Sequence, residues 1–547
     1  MFLSKSLLSL FCCLFFSLFA HGVTAESSGR PNILLVVADD LAFTDIGSFG
    51  GEINTPTLDA LSEQGLRFSQ FYSAPSCSPT RATLLTGVDY HLAGLGAMQH
   101  TQTPEQLGRP GYEGYLNQRV VTLPELLRDA GYHTFMAGKW HLGISESNSP
   151  AARGFEQSFA LLQGGGGHFD TLGLTADSPA LYRENGQLTS LPEDFYSSRF
   201  YSDKMIEYIR GRESKRPFFG YLSYTAPHWP LQAPDASIER YKDRYAAGYE
   251  PLRLQRVARA KELGIVPEHQ SFAQPNYKRP WQSLSPQRRD VEARKMAVYA
   301  AMIDDMDLHL GRVLDALKQD GELDNTVIIF MSDNGAEGHD LDYALPQLKK
   351  YIATCCDNRL ENLGRANSYF SYGHDWAQAG IALFRGFKAQ PLEGGIRVPL
   401  IVSFPGWPLK GGIYQGLSSV EDIVPTLLAL INLEHPAPSY QKRDVYPITG
   451  SSLLPLLDGE QSTLVTNRPL ARELFGRAAI RVENWKAVKI PPPYGDDQWQ
   501  LYAIDKDPGE SQDLSTVEPE TLKRLISFWQ DYAASTGLIL SNRPSRY

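Results

Sequence analysis

The stretch "NILLVVADD", residues 32 to 40, decides the architecture. After Asn32, Ile33 to Ala38 run apolar with no turn residue and stop on two carboxylates, Asp39 and Asp40. A strand apolar on both sides belongs to a sheet covered on both faces. Nearly three hundred residues later "NTVIIFMSDNG" repeats the device and ends on Asp333 and Asn334. Helical patterns lie between the two. Thr55-Pro56 opens "TLDALSEQG", and Thr122 with Glu125 forms a capping box around Pro124 ahead of "ELLRDAG". A further strand, "YHTFMA", closes at Gly138-Lys139. Strand, helix and strand in alternation predict an α/β fold: a large, mostly parallel central sheet flanked by helices.

From about residue 461 the pattern changes. The short runs "LARELF", "AAIRVE", "WKAVKI" and "WQLYAI" precede the amphipathic "PETLKRLISFWQDYAAS", which predicts a smaller antiparallel sheet packed with one helix. Residues from about 235 to 300 are charged and arginine-rich but interleave acids, and read as a solvated helical insertion rather than a nucleic-acid face. The expected division is a leader over 1–25, a large domain over 26–460 and a small α+β subdomain over 461–547.

Lys5, an apolar run and Val23-Thr24-Ala25 have the form of a cleavable export signal, so the chain is expected to be periplasmic or secreted. That run, interrupted at Ser17 and His21, is too short to span a bilayer, and no later segment qualifies. Loss of the leader removes Cys12 and Cys13 and leaves Cys77, Cys355 and Cys356, an odd set that makes no disulfide framework. With no cation beside them, Cys355 and Cys356 read as two reduced thiols. The net charge of −10 argues against a polyanion-binding surface but leaves room for a local basic pocket.

In open α/β sheets functional groups gather beyond the carboxyl ends of the strands, which brings Asp39-Asp40 and Asp333-Asn334 into one crevice. All four offer hard oxygen ligands suited to calcium or magnesium. In "PSCSPTRATLLTG", residues 75 to 87, Ser78-Pro79 can start a helix with Cys77 at its N-terminal edge, where amide hydrogens favour an anion, and Arg81 one turn on. A Cys–His hydrolase is one option for such a thiol, but a hard cation nearby would not select a soft ligand. His168 beside "QGGGG" suggests a flexible rim loop; His91 and Asn117 carry no signal.

The stretch 75 to 87, with Cys-x-Pro-x-Arg at its heart, and "GYHTFMAGKWH", residues 131 to 141, resemble the two sequence patterns of the formylglycine-dependent sulfatases. "VADD", "APHWP", "SDNG" and "KAQPLEGGIRVP" follow in the family's order, and the chain is similar to bacterial arylsulfatases of the alkaline phosphatase superfamily from about residue 31 to its end. The resemblance implies a sulfuric ester hydrolase in which a maturation enzyme oxidises Cys77 to formylglycine, whose hydrate is the nucleophile. It implies one divalent ion, calcium, shared by Asp39, Asp40, Asp333, Asn334 and modified residue 77. It further implies that Arg81 favours the alkoxide, Lys139 and Lys388 neutralise the sulfate oxygens, His228 protonates the leaving oxygen, and His141 collapses the hydrate to release sulfate. Two alternatives stand beside it: a phosphonate or phosphate ester hydrolase with the same nucleophile, and an inactive carbohydrate-binding relative.

Overall fold

The computed structural model describes residues 29–212, 216–270, 272–341, 346–461 and 468–541. The expected leader lies outside these residues, as does most of the expected boundary just after residue 461. The described residues from Pro31 onward form one compact unit. The central sheet has eleven strands: β1 (Asn32–Ala38), β2 (Leu66–Tyr72), β3 (His133–Lys139), β4 (Gln157–Leu161), β5 (Tyr182–Glu184), β6 (Gln187–Thr189), β7 (Phe218–Ser223), β8 (Thr326–Ser332), β9 (Arg397–Ser403), β10 (Gly412–Tyr414) and β11 (Ser418–Ser419). Their spatial order is β10-β2-β9-β8-β1-β7-β3-β4-β5-β6, with β11 also on β2. The centre, β8-β1-β7-β3-β4, is parallel, and antiparallel pairs flank it on both sides.

β1 shows why the apolar run predicted two covered faces. Ile33, Leu35 and Val37 enter one hydrophobic core and Leu34, Val36 and Ala38 the other, all fully buried. The first core is roofed by the helices Cys77–Thr86, Leu123–Asp129 and Ile423–Leu430, the second by Ser197–Arg210 and Pro286–Gln319. Each such aliphatic side chain contributes ~1.5–3 kcal/mol on burial, so neither face of this strand tolerates a charge. The capping box forms as predicted: Thr122 accepts from the Glu125 amide, and the Glu125 carboxylate accepts from the Thr122 amide at 2.8 Å.

Register then does the assembling. Ala38 lies opposite Ser332, Val37 opposite Ser223, and Gly138 opposite Ser223, so β8, β1, β7 and β3 end in line. Near the C-terminus β14 (Leu470–Leu474), β15 (Arg477–Val482), β16 (Trp485–Lys489) and β17 (Trp499–Ala503) form an antiparallel sheet, after the short pair β12 (Ser439–Tyr440) and β13 (Arg443–Asp444). One face packs Ile480, Leu501 and Ala487 against Leu525 and Trp529 of the helix Pro519–Thr536. The other buries Ala479, Val488 and Tyr502 against Leu392, four residues past Lys388.

Two expectations are corrected. The segment 235–300 is not a solvated insertion: Tyr241, Tyr245, Tyr249 and Met296–Ile303 are buried, and Arg256, with no exposure, pairs with Asp45 at 2.5 Å and Glu52 at 2.7 Å. Its charges looked like a solvated face because their partners sit two hundred residues upstream. Cys355 and Cys356 are joined as a disulfide at the end of the helix Pro346–Cys355. The absence of a neighbouring cation bears on thiol reactivity and not on whether two adjacent sulfurs can bond.

Candidate active site

Four strand ends and one helix start converge on a single crevice. Asp39 and Asp40 follow β1, Asp333 and Asn334 follow β8, Lys139 ends β3, and the loop after β7 carries His228. Cys77 begins the helix Cys77–Thr86, all of whose residues are buried. Asp40 and His141 hold left-handed backbone conformations, φ +68° and +57°; such conformations are uncommon outside glycine and mark positions that their surroundings over-determine. Gly138, at φ +117°, is required for the close approach of β3 and β7, because a Cβ there would stand 1.8 Å from the Ser223 carbonyl oxygen.

The charges are tightly paired. Lys139 Nζ donates to both Asp39 oxygens, at 2.6 and 2.9 Å, and Lys388 Nζ to both Asp40 oxygens, at 2.8 and 2.9 Å. Arg81 grips Asp333 through Nε at 2.8 Å and Nη2 at 2.6 Å, while Nη1 donates to the Lys139 carbonyl at 3.1 Å and to the Ser223 hydroxyl. The Asp40 amide donates to Asp333 Oδ1 at 3.2 Å, and Asn334 Nδ2 donates to Asp40 Oδ1 at 2.7 Å. Cys77 Sγ lies 3.4 Å from Asp39 Oδ1 and 3.7 Å from Asp40 Oδ1.

Burial, reinforced by the neighbouring carboxylates Asp333 and Asp40, pushes Asp39 up to about 7 against the pull of Lys139, and raises Asp40 as well. Asp333 goes the other way: burial would raise it, but Arg81, Lys139 and Lys388 hold it low. Burial and Asp333 push the Cys77 thiol well above its ordinary value. His141 and His228 are both depressed well below theirs, by burial and by the lysines around them. The expectation that His228 titrates near neutrality is therefore corrected for the free enzyme, since burial, reinforced by Lys388 and Lys139, disfavours a further cation there. Its Nδ1 donates to the Trp229 carbonyl at 2.5 Å, leaving Nε2 3.6 Å from Asp40 Oδ2.

The crevice could hold a metal ion. One ligand atom each from Asp39, Asp40, Cys77 and His228 falls within 4.8 Å of the others. Asn334 Oδ1 is buried and without a hydrogen-bond partner among the described residues, an acceptor that a cation would satisfy. Asp39, Asp40, Asp333 and Glu337 face Arg81, Lys139 and Lys388, a formal excess of one negative charge. Of the expected metal residues, Asp333 is the one most engaged elsewhere, with one oxygen on Arg81 and the other on the Asp40 amide.

Cys77, His141, His228 and Lys388 line the floor of a cleft of about 720 Å³. His141 Nδ1 is buried and unpartnered among the described residues, and its ring rests on Gly164, where a Cβ would lie 2.7 Å from Cε1. His168 is not on a flexible rim. It is buried, donates from Nε2 to the His228 carbonyl at 3.0 Å and accepts from Ser197 at 2.7 Å, so it pins the loop bearing His228; burial holds it neutral, near 4. Sequence reasoning missed Ser223, which anchors Arg81, and Glu337, 3.5 Å from Lys388. Glu337 had a signal, being three residues past Asn334; Ser223 had none. It also missed Phe475, which reaches the cleft from the turn between β14 and β15.

This crevice lies at the carboxyl ends of a large mixed sheet, and the sulfatase family model matches residues 31–433. The chain belongs to the sulfatase family and is a sulfuric ester hydrolase. It is 43% identical over 541 residues to an uncharacterized sulfatase of Schizosaccharomyces pombe, covering 95% of this chain and 96% of that one. It is 40% identical over 440 residues to an arylsulfatase of Klebsiella aerogenes, covering 79% and 93%. Among solved structures it superposes with TM-score 0.60, at 19% identity, on a protein in complex with its substrate D-glucosamine-2-N,6-O-disulfate, covering 93% and 98%.

Proposed function

We propose that this chain is an exported sulfatase that cleaves sulfate monoesters with a nucleophile made from Cys77 by a formylglycine-generating enzyme, assisted by one calcium ion held by Asp39, Asp40, Asp333, Asn334 and residue 77. The observation that carries this is the setting of Cys77. A buried thiol between two carboxylates, with its proton held more tightly than usual, is a poor nucleophile and a poor ligand for a hard ion. An oxygen at the same place is suited to both tasks.

The bound ion would supply Lewis-acid polarisation, and the formylglycine an oxygen nucleophile regenerated without attack of water at sulfur. The chain's own residues do the rest. Lys139 and Lys388 bind the sulfate oxygens and stabilise charge moving toward the leaving group. Arg81, locked to Asp333 and the end of β3, holds a positive charge beneath residue 77. The first amides of the helix Cys77–Thr86 favour the same anion. His141, whose Nδ1 has no partner among the described residues, accepts the proton that residue 77 must lose to release sulfate. His228 delivers a proton to the leaving oxygen; an anionic sulfate on the two lysines offsets their share of the effect that, with burial, keeps this histidine neutral in the free enzyme.

Mass analysis of the tryptic peptide Phe68–Arg81 from active enzyme is expected to show an aldehyde in place of the thiol; an intact thiol at full activity would sink the proposal. Chelation is expected to abolish turnover, with recovery on adding calcium or magnesium and not on adding zinc. An aryl phosphonate turned over faster than the matching aryl sulfate would favour the phosphorus chemistry instead. Export is tested by finding mature protein, lacking residues 1–25, outside the cytoplasm.

A further inference from the structure

Two demands meet on Lys388. Its Nζ engages both oxygens of Asp40, at 2.8 and 2.9 Å, yet the proposed reaction needs the same ammonium on a sulfate oxygen and the same carboxylate on a cation. An ammonium on a flexible four-carbon stem stays where the nearest anion holds it. At 1% exposure Lys388 cannot turn to bulk water instead, so a buried charge that leaves Asp40 needs another anion.

Glu337 is such an anion, with Oε2 3.5 Å from Lys388 Nζ. It is buried, and its other oxygen is fixed: Oε1 accepts from the His339 amide at 2.8 Å and meets His339 Nδ1 at 2.5 Å. Burial would raise its pKa, but His339 and Lys388 hold it at about 2, so the carboxylate keeps its charge. The backbone ties the two residues together. The Lys388 amide donates to the Ala336 carbonyl at 3.0 Å, and Gly338 lies so close to the Phe387 ring that a Cβ would stand 2.5 Å from its Cγ. Glu337 and Lys388 therefore move as one unit, whereas Asp40 belongs to the end of β1.

We infer, on the basis of the sulfatase reading, that Glu337 is a positioning residue for Lys388: it holds the ammonium at the sulfate while Asp40 serves the cation, and His339 holds Glu337 in turn. Lys388 lines the cleft and Glu337 does not, so the carboxylate acts through the lysine without touching substrate. This role has a sign that distinguishes it from a general electrostatic one. By Coulomb's law alone a carboxylate near a sulfate site repels the anion, and its removal would tighten binding. If its work is to place Lys388, its removal weakens binding.

The test uses the matured full-length enzyme, with 4-nitrophenyl sulfate for turnover and inorganic sulfate as the probe in calorimetry. Glu337→Gln keeps the shape and an acceptor for the His339 amide but removes the charge. It is expected to lower both kcat and sulfate affinity ~10-fold, about the worth of one charge-assisted hydrogen bond. In a Lys388→Met background the same substitution is expected to cost nothing further in sulfate affinity, because the lysine it acts through is gone. His339→Ala, which leaves the carboxylate but removes the ring that fixes it, is expected to shift both quantities the same way by a smaller factor, and it decides the matter if Glu337→Gln does not fold. Sulfate affinity that is unchanged or tighter in the folded variant overturns this inference alone, as does an equal loss with and without Lys388. Release of no sulfate by the unaltered enzyme, with residue 77 matured, overturns the sulfatase reading and this inference with it.

Discussion

His91 offers the sharpest test of how the C-terminal sheet is fastened beside the cleft. Its ring is fully buried, with Nδ1 3.2 Å from Asp89 Oδ1 and Nε2 3.0 Å from Glu473 Oε2, and Tyr532 of the last long helix reaches Asp89 at 3.0 Å. Burial would lower its pKa, but the hydrogen bonds to Asp89 and Glu473 raise it from 6.5 to about 9. Between those two values the folded chain holds a proton that the unfolded chain has released, so stability falls as pH rises. Each tenfold difference in proton affinity is worth about 1.4 kcal/mol, which makes this proton worth about 3 kcal/mol below pH 6.5 and nothing above pH 9. Unfolding entropy grows with length, and for a chain of this size about 3 kcal/mol corresponds to roughly 3 °C. Melting temperatures of the enzyme and of His91→Gln, measured from pH 6 to 9.5, are expected to differ most at pH 6 and to converge as pH passes 9. Tyr90 and Tyr532, pushed well above their ordinary range by burial, do not titrate in this window. A difference that stays constant across the range, or widens with pH, would refute the assignment of a buried imidazolium.

Three further outcomes follow from distances in the crevice. Arg477→Gln is expected to lower kcat ~10-fold or more with a smaller effect on KM, since loss of the bond to the Ala389 carbonyl loosens Lys388; kcat within twofold of the parent enzyme would contradict this. His228→Ala is expected to cost ~100-fold or more on hexyl sulfate and far less on 4-nitrophenyl sulfate, whose phenolate leaves without a proton; equal losses on both esters would remove His228 from that role. Gly138→Ala is expected to yield an unstable, inactive protein, because the added methyl meets the Ser223 carbonyl that closes β3 on β7; a soluble variant with normal turnover would show that this approach has slack.

The sequence by itself determined what short-range periodicity encodes. The unbroken apolar run over Ile33–Ala38 required a doubly covered strand, the Thr122–Glu125 pair required a helix start, and the short strand-like runs after about residue 461 required an antiparallel sheet, whose second covered face the sequence did not show. The carboxylates at strand ends, and the cysteine and arginine one helical turn apart, were legible for the same reason, each a local pattern with a local cause, whereas Lys139 and Lys388 were singled out only by the family resemblance. Tertiary structure alone decided which charges meet. Arg81 answers Asp333 across 252 residues, Arg256 answers Asp45 across 211, and His91 answers Glu473 across 382. None of these partners lies within a helical turn or a strand step of the other, so no periodicity reports them; they are set by strand order and register. The same holds for Phe475, an ordinary aromatic in the chain that becomes part of the cleft because one hairpin of the C-terminal sheet is laid beside Lys388. Periodicity records where a side chain must point, whereas pairing depends on which distant backbone lies there to receive it.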